Sequence, residues 1–126
     1  MLSILTVDDE IAFCKMIARF LESKGYKVRS SQSGKDALKS IDHEKPDIVL
    51  LDLIIPDIKG EDILKKIKKD YPDIPVIIIT ALNDSKKAIE LLIHGASDYL
   101  TKPVDLSYIE KYLSTWEKIT TMRSLA

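Results

Sequence analysis

Four places in the chain put a reactive side chain directly behind an apolar run. SILTV (3–7) is followed by Asp8, Asp9 and Glu10, IVLL (48–51) by Asp52, VIII (76–79) by Thr80, and SDYLT (97–101) by Lys102 and Pro103. An ionised carboxylate in apolar surroundings is costly unless something pairs with it, so Asp52, set inside IVLLDLIIPD, needs a partner or a purpose. Acids, a hydroxyl and an amine gathered at one point would form an all-oxygen cation site with one fixed positive charge. A carboxylate in such a site can attack phosphorus. Each signal also has an ordinary reading. Asp-Asp-Glu behind a strand is more often a helix N-terminal cap, with Asp8 and Glu10 as the capping groups, and a lone strand-end Thr or a Lys-Pro pair is usually structural.

The elements that must position these residues follow from hydrophobic periodicity. Strands are expected at Ser3 to Val7, Lys27 to Ser31, Ile48 to Leu51, Val76 to Thr80 and Ser97 to Thr101. Helical patterns separate them. Ile11 to Ser23 carries Phe13, Ile17, Phe20 and Leu21 on one face, with Gly25 where a left-handed cap belongs. Others are expected at Lys35 to Ile41, Glu61 to Lys69, Ser85 to His94 and Leu106 to about Thr121. Five βα repeats imply an α/β fold in which a five-stranded parallel sheet is covered by helices on both faces.

Strand character suggests the order. IVLL and VIII are unbroken apolar runs and belong in the middle, whereas KVRSS and SDYLT are mixed and suit edges, which gives 2-1-3-4-5. A dinucleotide-binding order would need a sixth strand and a glycine-rich turn where the chain has Asp8, Asp9 and Glu10. In an open parallel sheet the ligand site lies beyond the carboxyl ends of the strands. That edge is where the acids, Thr80 and Lys102 fall. Two carboxylates about 4 Å apart at an effective dielectric near 20 repel by about 4 kcal/mol, so positive charge must stand between them. Mg²⁺ and Lys102 are the natural sources.

Composition narrows the rest. A chain of 126 residues fits one domain, 1–126, and its 45% hydrophobic and 31% charged residues exclude neither a folded core nor an ordinary surface. Cys14 is the single cysteine, which rules out an internal disulfide and a thiolate cluster and leaves small core filler as its expected role. No apolar run reaches the roughly 20 residues of a membrane span, and no P-loop pattern for ATP is present. A soluble, cytoplasmic protein is expected. The net charge of −1 gives no electrostatic reason for direct binding to nucleic acid or an anionic membrane.

LTVDDE, IVLLDLIIPDIKG, VIIITA and GASDYLTKP occur in an order and spacing that resemble the receiver domain of bacterial two-component response regulators, across nearly the whole chain. That family has the flavodoxin-like (βα)5 fold. The resemblance implies a phosphoryl-accepting switch rather than an enzyme, fed by a partner histidine kinase or phosphotransfer protein carrying phosphohistidine. It implies Asp52 as phosphoacceptor, Mg²⁺ held by Asp9, Asp52 and the backbone carbonyl of Ile54, and Asp8 holding metal-bound water. It implies Thr80 and Lys102 as phosphoryl contacts, a cis Lys102–Pro103 bond, and Tyr99 as the aromatic that moves with Thr80. The output face would be the fourth helix, fifth strand and fifth helix, which could also form a homodimer.

Ile54 and Leu82, two residues after Asp52 and Thr80, are aliphatic and cannot hydrogen-bond an attacking water, so a long-lived phosphorylated state is expected. Two alternatives stand beside this reading. A phosphatase of the haloacid-dehalogenase type would need a second Asp at position 54, and an adaptor working without phosphorylation would be expected to lack one of Asp9, Asp52, Thr80 or Lys102. In the last helix Ile109, Tyr112, Leu113, Trp116 and Ile119 read as one core-facing stripe, with Trp116 as a candidate partner surface. A helix running past Thr120 would project beyond the domain, either to connect to an output module or simply to stop there.

Overall fold

The structure, a computed structural model, describes residues 2–125. Five strands, β1 (Ser3–Val7), β2 (Lys27–Ser31), β3 (Ile48–Leu51), β4 (Val76–Thr80) and β5 (Asp98–Thr101), alternate with α1 (Ile11–Ser23), α2 (Gly34–His43), α3 (Gly60–Asp70), α4 (Ser85–Ile93) and α5 (Leu106–Leu125). All strand pairs are parallel and the order is β2-β1-β3-β4-β5, as strand character implies. Every residue of β3 and β4 is buried, while β2 is mixed and β5 is half-buried throughout, because the edge strands have a neighbour on one side only.

Two apolar layers sandwich the sheet. Leu5, Val7, Val49, Leu51, Val76 and Ile78 face α2 and α3 through Ala37, Ile41, Ile63, Leu64 and Ile67. Ile4, Ile48, Leu50, Ile77 and Ile79 face α1 and α5 through Ile17, Leu21, Ile109 and Leu113. The two sets alternate along each strand, the period-two signature of a sheet covered on both sides. α1 ends as its sequence implies: Gly25 adopts φ +94°, and the amides of Gly25 and Tyr26 return to the carbonyls of Glu22 and Leu21. Cys14 is buried, in keeping with core filler.

The fifth helix departs from the single-stripe expectation. It runs to Leu125, and although Ile109 and Leu113 are fully buried and Tyr112 and Trp116 pack against them, Ile119 is 39% exposed. The physical reason is length: Trp116 already lines one groove with Pro75 and Ser97, just ahead of β4 and β5, so the turns beyond it pass the start of the sheet. No described helix is both long and apolar enough to cross a membrane.

Candidate functional site

Register decides which side chains meet. Val7 pairs with Leu51, so Asp8 and Asp52 leave neighbouring strands at the same level, and the amide of Asp52 continues the ladder to the carbonyl of Val7 at 2.9 Å. Leu51 pairs with Ile78, and Thr80 with Thr101, so Thr80 ends β4 two residues further on and Lys102 follows from the far edge. The amide of Lys102 donates to the carbonyl of Thr80 at 2.8 Å. The Lys102–Pro103 peptide is cis.

The ammonium of Lys102 lies among three carboxylates, donating to Asp8 Oδ2 at 2.7 Å, Glu10 Oε1 at 2.8 Å and Asp52 Oδ2 at 3.2 Å. The amine also lies over the ring of Phe13, 4.2 Å from the centroid, a cation–π contact that helps hold it in place. Asp8 and Asp52 are buried, whereas Glu10 is exposed. The remaining oxygens are also engaged. Asp52 Oδ1 accepts from the amide of Ile54 at 3.0 Å, and Asp8 Oδ1 from the amide of Glu10 at 2.9 Å. Asp8 thus serves the helix entrance as well as the site, while Glu10, at the N-cap of α1, makes no capping bond with its side chain.

Electrostatics follow from this crowding. Burial foremost, with the like charge of Asp52 adding to it, pushes the Asp8 carboxyl above its usual range against the opposing bonds from Lys102 and the Glu10 amide. Burial works against the charged form of Lys102, yet its bonds to Asp8 and Glu10 and the charge of Asp52 outweigh it and hold the amine above the ordinary lysine range. Asp8, Glu10 and Asp52 present carboxylate oxygens within 4.8 Å of one another. Three acids against one ammonium leave two negative charges, and the donors are all oxygen, a set that suits a hard divalent cation. Asp9 is exposed and stands outside this group of three.

Around this centre, Thr80 is fully buried and its hydroxyl accepts from the amide of Leu82 at 3.3 Å. The carbonyl of the same Leu82 accepts the Tyr99 hydroxyl at 2.5 Å. One residue of the β4–α4 loop therefore links the hydroxyl at the site to the aromatic on the edge strand. Ile54 and Leu82 are exposed at the rim, 57% and 37%.

The chain belongs to the response regulator receiver domain family. The family model matches residues 4–114. Similar curated proteins include the luminescence regulatory protein LuxO of Vibrio campbellii, 36% identical over 79% of this chain and 22% of that protein. The transcriptional regulatory protein ZraR of Klebsiella oxytoca is 39% identical over 88% of the chain and 25% of that protein. Among solved structures, the Francisella response regulator 1452 receiver domain superposes with a TM-score of 0.89 at 30% identity, covering 95% of this chain and 99% of that one. The chain spans about a quarter or less of these two regulators. Receiver domains are signalling domains rather than ordinary enzymes, and the five-stranded 2-1-3-4-5 sheet with five helices is their fold.

Three residues of this receiver site escape sequence reading. Glu10 looks like a cap in DDE and is a Lys102 partner instead, and Phe13, expected on the core face of α1, supports the amine. Asp57 anchors the β3–α3 loop: its carboxylate accepts from the amides of Gly34 and Lys35 at 2.8 and 2.9 Å, which also holds it below the usual carboxylate range. The missed signal was its place five residues behind Asp52, where a second acid can cap the neighbouring helix α2.

Proposed function

We propose that the domain is a switch in which Asp52 accepts a phosphoryl group from a phosphohistidine on a partner histidine kinase or phosphotransfer protein. The observation that carries this reading is Asp52 itself, 5% exposed at the end of a fully buried strand and paired with Lys102 at 3.2 Å. An Asp52 oxygen attacks phosphorus in line, the oxygen–phosphorus bond forms as the phosphorus–nitrogen bond breaks, and the electron pair returns to the donor imidazole. The Lys102 ammonium meets charge that builds on the phosphoryl oxygens. Mg²⁺ would be held by Asp52 and Asp9 with the carbonyl of Ile54, Asp8 engaging it through water, and it would supply charge neutralisation.

The acyl phosphate adds negative charge where one carboxylate stood, and Thr80 is the hydroxyl placed to answer it. A charge-assisted hydrogen bond is worth about 1.5–3 kcal/mol, against about 5.5 to carry a two-state element from 1:99 to 99:1. Thr80 therefore acts with Lys102. Turning Thr80 away from the Leu82 amide loosens the loop that also holds the Tyr99 hydroxyl, which supports a readout through α4, β5 and α5, to a partner or a second copy.

The test is incubation with acetyl phosphate and Mg²⁺, followed by intact mass. Wild type gains one phosphoryl group and Asp52→Asn gains none. Undiminished modification of Asp52→Asn would refute the assignment.

A further inference from the structure

We propose that Glu10 is a placeholder on Lys102, occupying in the resting domain the hydrogen-bond position that a phosphoryl oxygen takes when Asp52 is modified. The inference rests on the phosphoacceptor reading of Asp52 and adds to it a positioning residue. An ammonium has three protons. Those of Lys102 are committed to Asp8, Glu10 and Asp52, at 2.7, 2.8 and 3.2 Å, so an incoming phosphoryl oxygen can be met only if one bond is released.

Burial decides which one. The side chains of Asp8 and Asp52 are 3% and 6% exposed, and before the oxygen–phosphorus bond forms, stripping the amine from either leaves a buried carboxylate without its cation. The Glu10 side chain is 65% exposed, so water replaces the amine at little cost. The Glu10 carboxylate is not held as a helix cap among the described residues: its side chain makes no capping bond, and the α1 entrance is served by Asp8. The Phe13 ring still faces the amine at 4.2 Å, so release of Glu10 redirects a proton of Lys102 without moving the side chain away. The bond from Lys102 to Glu10 thus slows acceptance until this exposed bond opens.

Glu10→Gln removes the charge and weakens the bond to Lys102. At saturating Mg²⁺, with acetyl phosphate as donor, the Asp52 oxygen–phosphorus bond forms as acetate leaves. Intact-mass time courses are expected to show this modification accelerated about two- to fivefold, the worth of one exposed ion pair. Glu22→Gln, the same charge change on the exposed face of α1, should leave the rate at the wild-type value. In metal-free buffer the Lys102 ammonium resonance should move and exchange faster with water in Glu10→Gln, a readout independent of turnover. Adding Glu10→Gln to Lys102→Gln should bring no further gain, since Glu10 acts through the amine. An unchanged or slower rate in Glu10→Gln, an undisturbed Lys102 resonance, or a full gain in the Lys102→Gln background overturns the placeholder role while Asp52→Asn still abolishes modification. Modification that persists in Asp52→Asn overturns the phosphoacceptor reading and the placeholder with it.

Discussion

Replacing Lys102 with Met keeps most of the side chain's length and removes the cation that Asp8, Glu10, Asp52 and the Phe13 ring share. Each pair at about 3 Å is worth about 5 kcal/mol of gross attraction at an effective dielectric near 20. Much of that is offset by the cost of drying the amine, and breaking a buried pair typically costs about 3–5 kcal/mol. Because the Glu10 arm is exposed, the lower end applies, about 3 kcal/mol, or a fall of about 12 °C in melting temperature for a domain of this size. The pH dependence gives the sharper check. Lys102 has its folded pKa raised, so its contribution is fully present below the usual lysine range and lost only at strongly alkaline pH. Asp8 is also raised in the folded state, from 3.8, so its neutral form favours folding, and stability from this group is lost as pH rises through the folded value. Without the amine that penalty grows at neutral pH and vanishes in acid. Denaturant melts in EDTA should therefore show the deficit of Lys102→Met largest near pH 7.5, shrinking toward pH 4 and partly repaired by Mg²⁺. A variant as stable as wild type at pH 7.5, or a deficit that widens in acid, would refute the reasoning.

Tyr99→Phe removes the bond to the Leu82 carbonyl, worth about 1 kcal/mol, and should raise amide exchange of the β4–α4 loop about fivefold without lowering phosphorylation at Asp52. Gly60→Ala would place a Cβ 2.5 Å from Leu53 Cα and 3.0 Å from the Asp52 carbonyl, backbone that cannot yield without moving the acceptor. A thermal melt should record a loss of about 2–3 kcal/mol. Ile54→Asn offers a hydrogen bond to water at the rim, and decay of the purified phosphoprotein should speed up about tenfold, with wild type decaying over minutes or longer rather than seconds.

β1, β3 and β4 were legible as short apolar runs with a chemical signal at their ends, and the bounds of β1 to β4 and α1 agree with periodicity to the residue. The end of α5 was not, since Ile119 continues a helical spacing whose meaning depends on how far the sheet extends below it. At the site, the meeting of Asp8, Asp52, Thr80 and Lys102 at one edge follows from strand order alone. Glu10 and Asp57 were hidden for a different reason. Their roles depend on which nearby amide or amine each carboxylate reaches, and a helix entrance offers several within the same few ångströms.

The same dependence explains why the acids are crowded rather than spread. A single buried carboxylate beside one lysine would form a stable pair with little tendency to change. Here three carboxylates share three ammonium protons, the burial of Asp8 keeps its charge unfavourable, and the third partner is exposed. Each group is held, but the set as a whole carries surplus negative charge at the edge of a rigid sheet. A cation or a redistributed amine would relieve that surplus, and in the proposed switch the bonds that Leu82 makes to the Thr80 hydroxyl and the Tyr99 hydroxyl are the ones placed to respond.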